Sequence, residues 1–88
     1  MIKKKFTITN ATGLHIKPAG VLCDYAARFE SSIRFMYDVE SEANCKSILS
    51  VLGACIRYGD QIELICEGSD EEEAMREISA LIERGFDE

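Results

Sequence analysis

The most constraining feature of the sequence is segment 13–20, Gly-Leu-His-Ile-Lys-Pro-Ala-Gly, which contains its only histidine and its only proline. Proline has a fixed φ and lacks an N–H, so it suits the first turn of a helix and disrupts a helix interior. After Pro18, apolar residues recur at the i, i+3, i+4, i+7 spacing of a helix with one buried face. These residues are Leu22, Tyr25, Ala26 and Phe29. The spacing predicts a helix over residues 16–29, with His15 at its start.

The position of His15 indicates phosphoryl chemistry. A helix N-terminus carries unpaired N–H groups and a partial positive charge, and both attract phosphate. Lys17 adds a full positive charge, and a cationic neighbourhood disfavours imidazolium, so we expect a neutral, nucleophilic imidazole. A histidine beside an anion site is typical of covalent phosphorylation. Helix starts often carry polar residues, so the alternative is a capping or partly buried histidine without chemistry.

A second segment, residues 46–52 (Lys-Ser-Ile-Leu-Ser-Val-Leu), predicts a short helix that begins after Ser47. The serine hydroxyl can accept an N–H from the first helical turn, as an N-cap does. The segment is rich in apolar residues, and some of them are expected to face the core.

Together, the segments Gly13–Ala19 and Lys46–Leu52 resemble the two motifs of the HPr family, the histidine-containing phosphocarriers of the sugar phosphotransferase system. The first is similar to the family's active-site signature, with Lys17 where arginine is usual and Gly20 where a small hydroxyl or methyl side chain is usual. The second is similar to the regulatory serine motif. With the chain length and the order of elements, the resemblance covers almost the whole chain.

The resemblance implies that His15 accepts a phosphoryl group on a ring nitrogen from phosphorylated enzyme I, which phosphoenolpyruvate charges. His15 would then pass the group to the IIA components of sugar permeases. The protein would be a carrier and not an enzyme, and it would need no cofactor. The expected phosphate contacts are the backbone of Ile16, the side chain of Lys17 and the hydroxyl or backbone of Thr12. For Thr12 the alternative role is to stabilise a turn.

The resemblance also implies roles for the second segment. In some bacteria a dedicated kinase phosphorylates the family's serine, which corresponds to Ser47, and the modification weakens docking of the phosphoryl donor. A phosphate adds about two negative charges. The family's architecture would place Ile48, Leu49 and Leu52 in an exposed docking patch beside His15. The alternatives are that Ser47 is only a cap and that these residues belong to the core.

Charge and length exclude several classes of protein. The 88 residues carry 16 acidic and 10 basic side chains, a net charge of −6, which argues against nucleic acid as a general partner. The basic run Lys3–Lys5 is expected to be a solvated strand. No apolar segment reaches the roughly 20 residues that cross a bilayer, and no signal-peptide core follows Met1. We therefore expect one domain, residues 1–88, that is cytoplasmic and monomeric.

The four cysteines, Cys23, Cys45, Cys55 and Cys66, have neither a metal-site nor a disulfide-framework spacing. We expect free thiols that behave as small buried hydrophobes, and no bound metal.

Alternating apolar residues predict four strands, at residues 2–8, 32–37, 42–45 and 61–66. Ser69 and Glu72 have the spacing of a capping box that starts the last helix. That helix has a core-facing stripe and ends at Arg84 and Gly85, before a short acidic tail. The stripe contains Ala74, Met75, Ile78, Leu81 and Ile82.

The order of elements, βαββαβα, predicts an α+β fold in which four strands are covered on one face by three helices. The resemblance implies an open-faced two-layer sandwich with an antiparallel sheet in the order 1-4-2-3. It also indicates a turn at 38–42 that is one residue longer than usual and lacks the usual glycine.

Two other functions remain open from the sequence. One is an HPr paralogue with weak phosphotransfer that binds a regulatory protein or metabolic enzyme, which the presence of Lys17 and Gly20 favours. The other is a small interaction domain without any phosphorylation.

Overall fold

The computed structural model describes residues 1–88 and contains four strands and three α-helices in the order βαββαβα. The strands are β1 (Ile2–Thr7), β2 (Ser32–Tyr37), β3 (Ser41–Asn44) and β4 (Gln61–Glu67). The helices are α1 (Ile16–Ala26), α2 (Ile48–Gly53) and α3 (Glu71–Glu83). The strands form one antiparallel sheet in the order β1-β4-β2-β3. The predicted fold class and strand order are confirmed.

The alternation of apolar and polar residues separates a core face of the sheet from an open face. In β4, Ile62, Leu64 and Cys66 are buried, and Leu64 lies opposite Phe35 of β2. On the open face, the Nε of Arg34 lies 2.8 Å from a carboxylate oxygen of Glu42. The helices cover the core face. None of them has the length and hydropathy needed to span a membrane.

Helix α1 is three residues shorter than predicted, because it ends at Ala26. After Ala26 the backbone hydrogen bonds join residues three apart, as in a tight turn. The N–H of Arg28 donates to the carbonyl of Tyr25 at 3.1 Å, and the N–H of Phe29 donates to the carbonyl of Ala26 at 3.2 Å. This turn folds the side chain of Phe29 back onto the core, where it is buried. The apolar spacing therefore predicted the burial of Phe29 correctly but not its backbone conformation.

The strand boundaries differ slightly from the prediction. Ile8 is fully buried but lies beyond β1, and its N–H donates to the carbonyl of Asp60 at 2.9 Å. Strand β3 begins and ends one residue earlier than predicted, and β4 extends by one residue to Glu67.

The predicted capping box of α3 is wrong by one residue. The helix begins at Glu71, whose carboxylate accepts the N–H of Gly68 at 3.0 Å. Ser69 does not cap the helix, and its hydroxyl lies 3.3 Å from the Glu30 carboxylate. Asp70 holds the start of β2, since its carboxylate accepts the N–H groups of Glu30 and Ser31, each at 2.9 Å, and the Ser31 hydroxyl. The sequence alone does not show these contacts with a distant segment.

The cysteines are all free thiols, but they do not share one environment. Cys45 and Cys66 are buried, and burial raises the pKa of Cys66 to about 11. Cys23 is partly exposed. Cys55 is exposed, so the expectation of a buried thiol is wrong there. It follows the short helix α2 in a left-handed backbone conformation, with φ of 53°.

Candidate functional site

A hydrogen-bonded loop holds His15 at the start of α1. Gly13 has φ of +64°, and a Cβ at this position would clash with the carbonyl oxygen of Ile56. The N–H of Leu14 donates to that same carbonyl at 3.0 Å, and the Leu14 side chain is buried. The amide of Asn10 closes the loop by donating to the Gly13 carbonyl at 2.6 Å. The glycine is required because neither its backbone conformation nor its contacts leave room for a side chain.

The start of α1 is exposed and carries no negative charge. His15 is the N-cap residue, with an extended backbone and no side-chain hydrogen bond to the helix. His15, Ile16 and Lys17 are exposed, and no acidic residue lies in the first turn. The amides of Ile16 and Lys17 precede the first intrahelical donor, the N–H of Ala19, which bonds to the His15 carbonyl at 2.9 Å. These two N–H groups and the Lys17 ammonium are free to bind an anion beside the imidazole.

The Thr12 hydroxyl, a predicted phosphate contact, is hydrogen-bonded to another side chain. The hydroxyl donates to the side-chain carboxylate of Glu88 at 2.6 Å, and the Asn10 amide donates to the same oxygen at 3.1 Å. These two hydrogen bonds lower the pKa of Glu88, and the nearby His15 and Lys17 charges lower it further. The carboxylate of Glu88 therefore belongs to the surroundings of His15.

The segment predicted as an acidic tail is folded against the body of the protein. Gly85, Phe86 and Asp87 all have positive φ, and the Phe86 side chain is only 1 % exposed. Arg84 links this left-handed turn to α1, because its guanidinium pairs with Asp87 at 2.6 Å and donates to the Tyr25 hydroxyl at 2.9 Å. Gly85 was the one sequence signal for this turn, since glycine after a helix commonly reverses the chain.

Ser47 is the N-cap of α2, as predicted. Its hydroxyl oxygen accepts the N–H of Ser50 at 3.2 Å, and its carbonyl accepts the N–H of Val51 at 3.0 Å. Ser50 in turn accepts the N–H of Asn44 at 2.9 Å, which connects α2 to β3. The serine is partly exposed.

An exposed apolar patch lies beside His15. It comprises Ile16, Ile48 and Leu49, which are 66 %, 40 % and 79 % exposed. Helices α1 and α2 are adjacent, since a Cβ on Gly20 would lie 4.0 Å from Cδ1 of Ile48.

The alternative that the apolar residues of segment 46–52 belong to the core is correct for only some of them. Leu52 is half-buried and packs partly against the core, while Val51 is fully buried. The sequence prediction omitted Ile16 from the patch, although an apolar residue outside the buried stripe of α1 was a signal for it.

Comparison with known proteins identifies the family. A family model described as "PTS HPr component phosphorylation site" matches residues 2–84. The phosphocarrier protein HPr of Mycoplasma genitalium is 36 % identical over 92 % of this chain and 94 % of its own length. The HPr-like protein Crh of Halalkalibacterium halodurans is 38 % identical over 96 % of this chain and 99 % of its own.

The fold agrees with solved structures of the same kind. The crystal structure of HPr-C-His from Thermoanaerobacter tengcongensis superposes with a TM-score of 0.94 at 35 % identity, covering 100 % of this chain and 98 % of that one. Sequence and structure therefore lead to one conclusion: the chain belongs to the HPr family of phosphocarrier proteins.

Proposed function

We propose that His15 accepts a phosphoryl group from phosphorylated enzyme I and passes it to the IIA components of sugar permeases. In this proposal, residues 1–88 act as one monomeric, cytoplasmic domain, which is a carrier and not an enzyme. The observation that supports it most is the exposed imidazole of His15 at a helix start with no acidic residue in the first turn. Family membership supports the phosphoryl group as the anion.

The transfer needs few protein groups. The lone pair of an imidazole nitrogen forms a bond to phosphorus while the bond between phosphorus and the donor atom breaks, and the donor keeps that electron pair. The other ring nitrogen keeps its proton. The N–H groups of Ile16 and Lys17 and the Lys17 ammonium stabilise the phosphoryl oxygens, whose charge is spread over three positions during transfer. Pro18 offers no N–H, so the binding donors are confined to the residues next to His15.

We infer that partner proteins dock on the patch of Ile16, Ile48 and Leu49, with Leu52 at its edge. Exposed side chains of this size next to a reactive group are typical of an interaction surface. Phosphorylation of Ser47 by a serine kinase would regulate this docking. A dianionic group at the start of α2 would lie next to Ile48 and oppose burial of the patch by a partner.

A second candidate function is favoured by Lys17. Lysine offers a flexible point charge, whereas arginine would offer a planar guanidinium that donates two hydrogen bonds. Lys17 therefore binds a phosphoryl group more weakly than an arginine would. A chain with weak phosphotransfer would use the same patch to bind a regulatory protein, and the similarity to an HPr-like protein supports this alternative.

Intact-mass spectrometry tests the proposal. The purified protein is incubated with enzyme I and phosphoenolpyruvate, beside the variants His15→Ala and Ser47→Ala. We expect a phosphoryl adduct on the wild type and on Ser47→Ala, lost in acid and on addition of a IIA protein, and none on His15→Ala. Absence of the adduct, with enzyme I active on a known carrier, would contradict the carrier function and favour the regulatory one.

A further inference from the structure

Residues 56–60 form a turn that lies alongside the loop before α1, and hydrogen bonds join the two segments at both ends. At one end, the N–H of Leu14 donates to the Ile56 carbonyl at 3.0 Å. At the other end, the N–H of Ile8 donates to the Asp60 carbonyl at 2.9 Å. These bonds fix the position of the turn relative to the loop.

Arg57, the second residue of this turn, packs against the loop. A Cβ on Gly13 would lie 2.8 Å from the Cα of Arg57, so the two backbones touch at a point two residues before His15. Asp60 holds the backbone of Arg57 in place. Its carboxylate accepts the N–H of Arg57 at 2.9 Å, and its N–H donates to the Arg57 carbonyl at 3.0 Å. The base of the Arg57 side chain is therefore held beside the loop.

The guanidinium of Arg57 has no partner within the chain. Arg57 is exposed, its only hydrogen bonds are made by its backbone, and it forms no ion pair. By contrast, Arg34 and Arg84 pair with carboxylates, and Arg28 stacks on the ring of Tyr25 at 4.3 Å. The Arg57 guanidinium is thus free to bind an anion that forms nearby.

An anion on the His15 ring lies within reach of this side chain. Two residues of chain span at most about 7 Å, which limits the distance from Gly13 to His15. The long, flexible stem of an arginine covers a comparable distance. Lys17 offers only a point charge at this site, whereas a guanidinium donates two parallel hydrogen bonds to phosphoryl oxygens.

We propose that the Arg57 guanidinium binds the phosphoryl oxygens on His15, together with the Lys17 ammonium and the N–H groups at the start of α1. This inference rests on the proposed function, since it concerns phosphorylation of His15. Arg57 supplies from a neighbouring turn the two-pronged contact that Lys17 cannot make. Its positive charge stabilises the phosphoryl group during transfer, so it speeds the formation of phosphohistidine.

Phosphoramidate tests the inference without a partner protein. Its P–N bond breaks as a ring nitrogen of His15 bonds to phosphorus, and ammonia leaves with the electron pair. We would follow phosphohistidine by ³¹P NMR in the wild type, Arg57→Gln and Arg57→Lys. The matched control is Arg76→Gln, which removes the same charge from an exposed arginine that lines a different cleft, at the start of α3. Urea unfolding would verify that each variant is folded.

We expect Arg57→Gln to form phosphohistidine about threefold more slowly than the wild type, as expected for loss of one nearby charge in water. Arg57→Lys should be intermediate, because it keeps the charge but loses the paired donors. Arg76→Gln should stay close to the wild type. In a Lys17→Arg background the effect of Arg57→Gln should be smaller, because a guanidinium at position 17 supplies the same contact.

A second measurement separates contact with the phosphoryl group from a structural role. A pH titration of the ³¹P signal gives the pKa of the phosphoryl group on His15. This pKa should be higher in Arg57→Gln than in the wild type, because loss of a neighbouring cation disfavours the dianion. A merely structural role of Arg57 would leave it unchanged.

Equal rates for the wild type and Arg57→Gln, equal effects of Arg57→Gln and Arg76→Gln, or an unchanged phosphoryl pKa would overturn the inference. The proposed function fails separately. If Arg57→Gln slows modification by phosphoramidate but enzyme I leaves the wild type unmodified, the carrier role is wrong and the inference stands. If phosphoramidate does not modify His15 in the folded wild type, both are overturned.

Discussion

Helices α1 and α3 begin in opposite ways. The first turn of α3 contains Glu71, Glu72 and Glu73, and the Glu71 carboxylate accepts the N–H of Gly68 at 3.0 Å. The first turn of α1 contains no acidic residue. Neither N-cap, His15 in α1 or Asp70 in α3, makes a side-chain capping hydrogen bond, so the two starts differ in charge. This contrast is notable in a chain with 16 acidic and 10 basic side chains.

In the proposed function, this difference separates a structural helix start from one that binds a phosphoryl group. Carboxylates in the first turn of a helix balance the positive end of the helix dipole, which stabilises the helix by about 0.3–1 kcal/mol each. Helix α3 has this stabilisation within its own sequence. Helix α1 lacks it, so its free N–H groups remain available to an external anion, and in the proposed function His15 is the phosphoryl acceptor.

The largest expected effect comes from the loop that holds the start of α1. We expect Gly13→Ala to lower the free energy of unfolding by about 3 kcal/mol, because it combines a positive φ with a backbone clash. The control is Gly53→Ala at the end of α2, where an added Cβ has no neighbour within 4 Å. That variant should be at least as stable as the wild type. Urea unfolding measures both variants, and equal stabilities would show that the loop accepts a side chain at position 13 without strain.

The start of α3 should respond to pH through Asp70. Hydrogen bonds from the Ser31 side chain, and from the backbone of Glu30 and Ser31, lower the pKa of Asp70 below its ordinary value. A lowered folded pKa means that this stabilisation is complete above the unfolded value of about 3.9 and is lost as the pH falls through the folded value.

We therefore expect Asp70→Asn to lower Tm at pH 7 and to differ less from the wild type at pH 3. Glu72→Gln, which changes an exposed glutamate of the same turn, is the control. A Tm difference for Asp70→Asn that does not change between these pH values would contradict the assignment.

Replacement of Lys17 sharpens the contrast at the start of α1. We expect Lys17→Arg to speed phosphoryl exchange with enzyme I about threefold, because a guanidinium donates two parallel hydrogen bonds to phosphoryl oxygens. Lys5→Arg, an exposed substitution in β1, should leave the rate unchanged. An unchanged or reduced rate in Lys17→Arg would mean that the lysine does not limit transfer.

The smallest expected effect is at Gly20 in α1. An added Cβ would make an ordinary contact, 4.0 Å from Cδ1 of Ile48, and alanine is the better helix former. We expect Gly20→Ala to raise the free energy of unfolding by about 0.5–1 kcal/mol. A loss of stability in urea unfolding would show that α1 and α2 pack too closely for a methyl group.

Local patterns predicted the elements of this fold well, and they failed where distant segments meet. The Ser47 cap and the stop at Gly85 depend on neighbouring residues, so the sequence shows them. The strand order was available only from the family resemblance, because apolar alternation does not determine which strands pair. The Asp70 contacts join segments 39 and 40 residues apart, and the Thr12 to Glu88 bond joins residues 76 apart. No local spacing indicates such contacts.

The most direct test places an acidic residue in the first turn of α1, as the first turn of α3 has. Ile16→Glu puts a carboxylate in the first turn, and Ile16→Gln is its uncharged match. We would measure His15 phosphorylation by phosphoramidate, which needs no docking, together with Tm. We expect Ile16→Glu to be phosphorylated about three- to tenfold more slowly than Ile16→Gln, because the carboxylate occupies the anion site. Its Tm should be equal or higher, because the carboxylate balances the helix dipole. Equal phosphorylation rates for the two variants would contradict the claim that the uncompensated start of α1 makes His15 a phosphoryl acceptor.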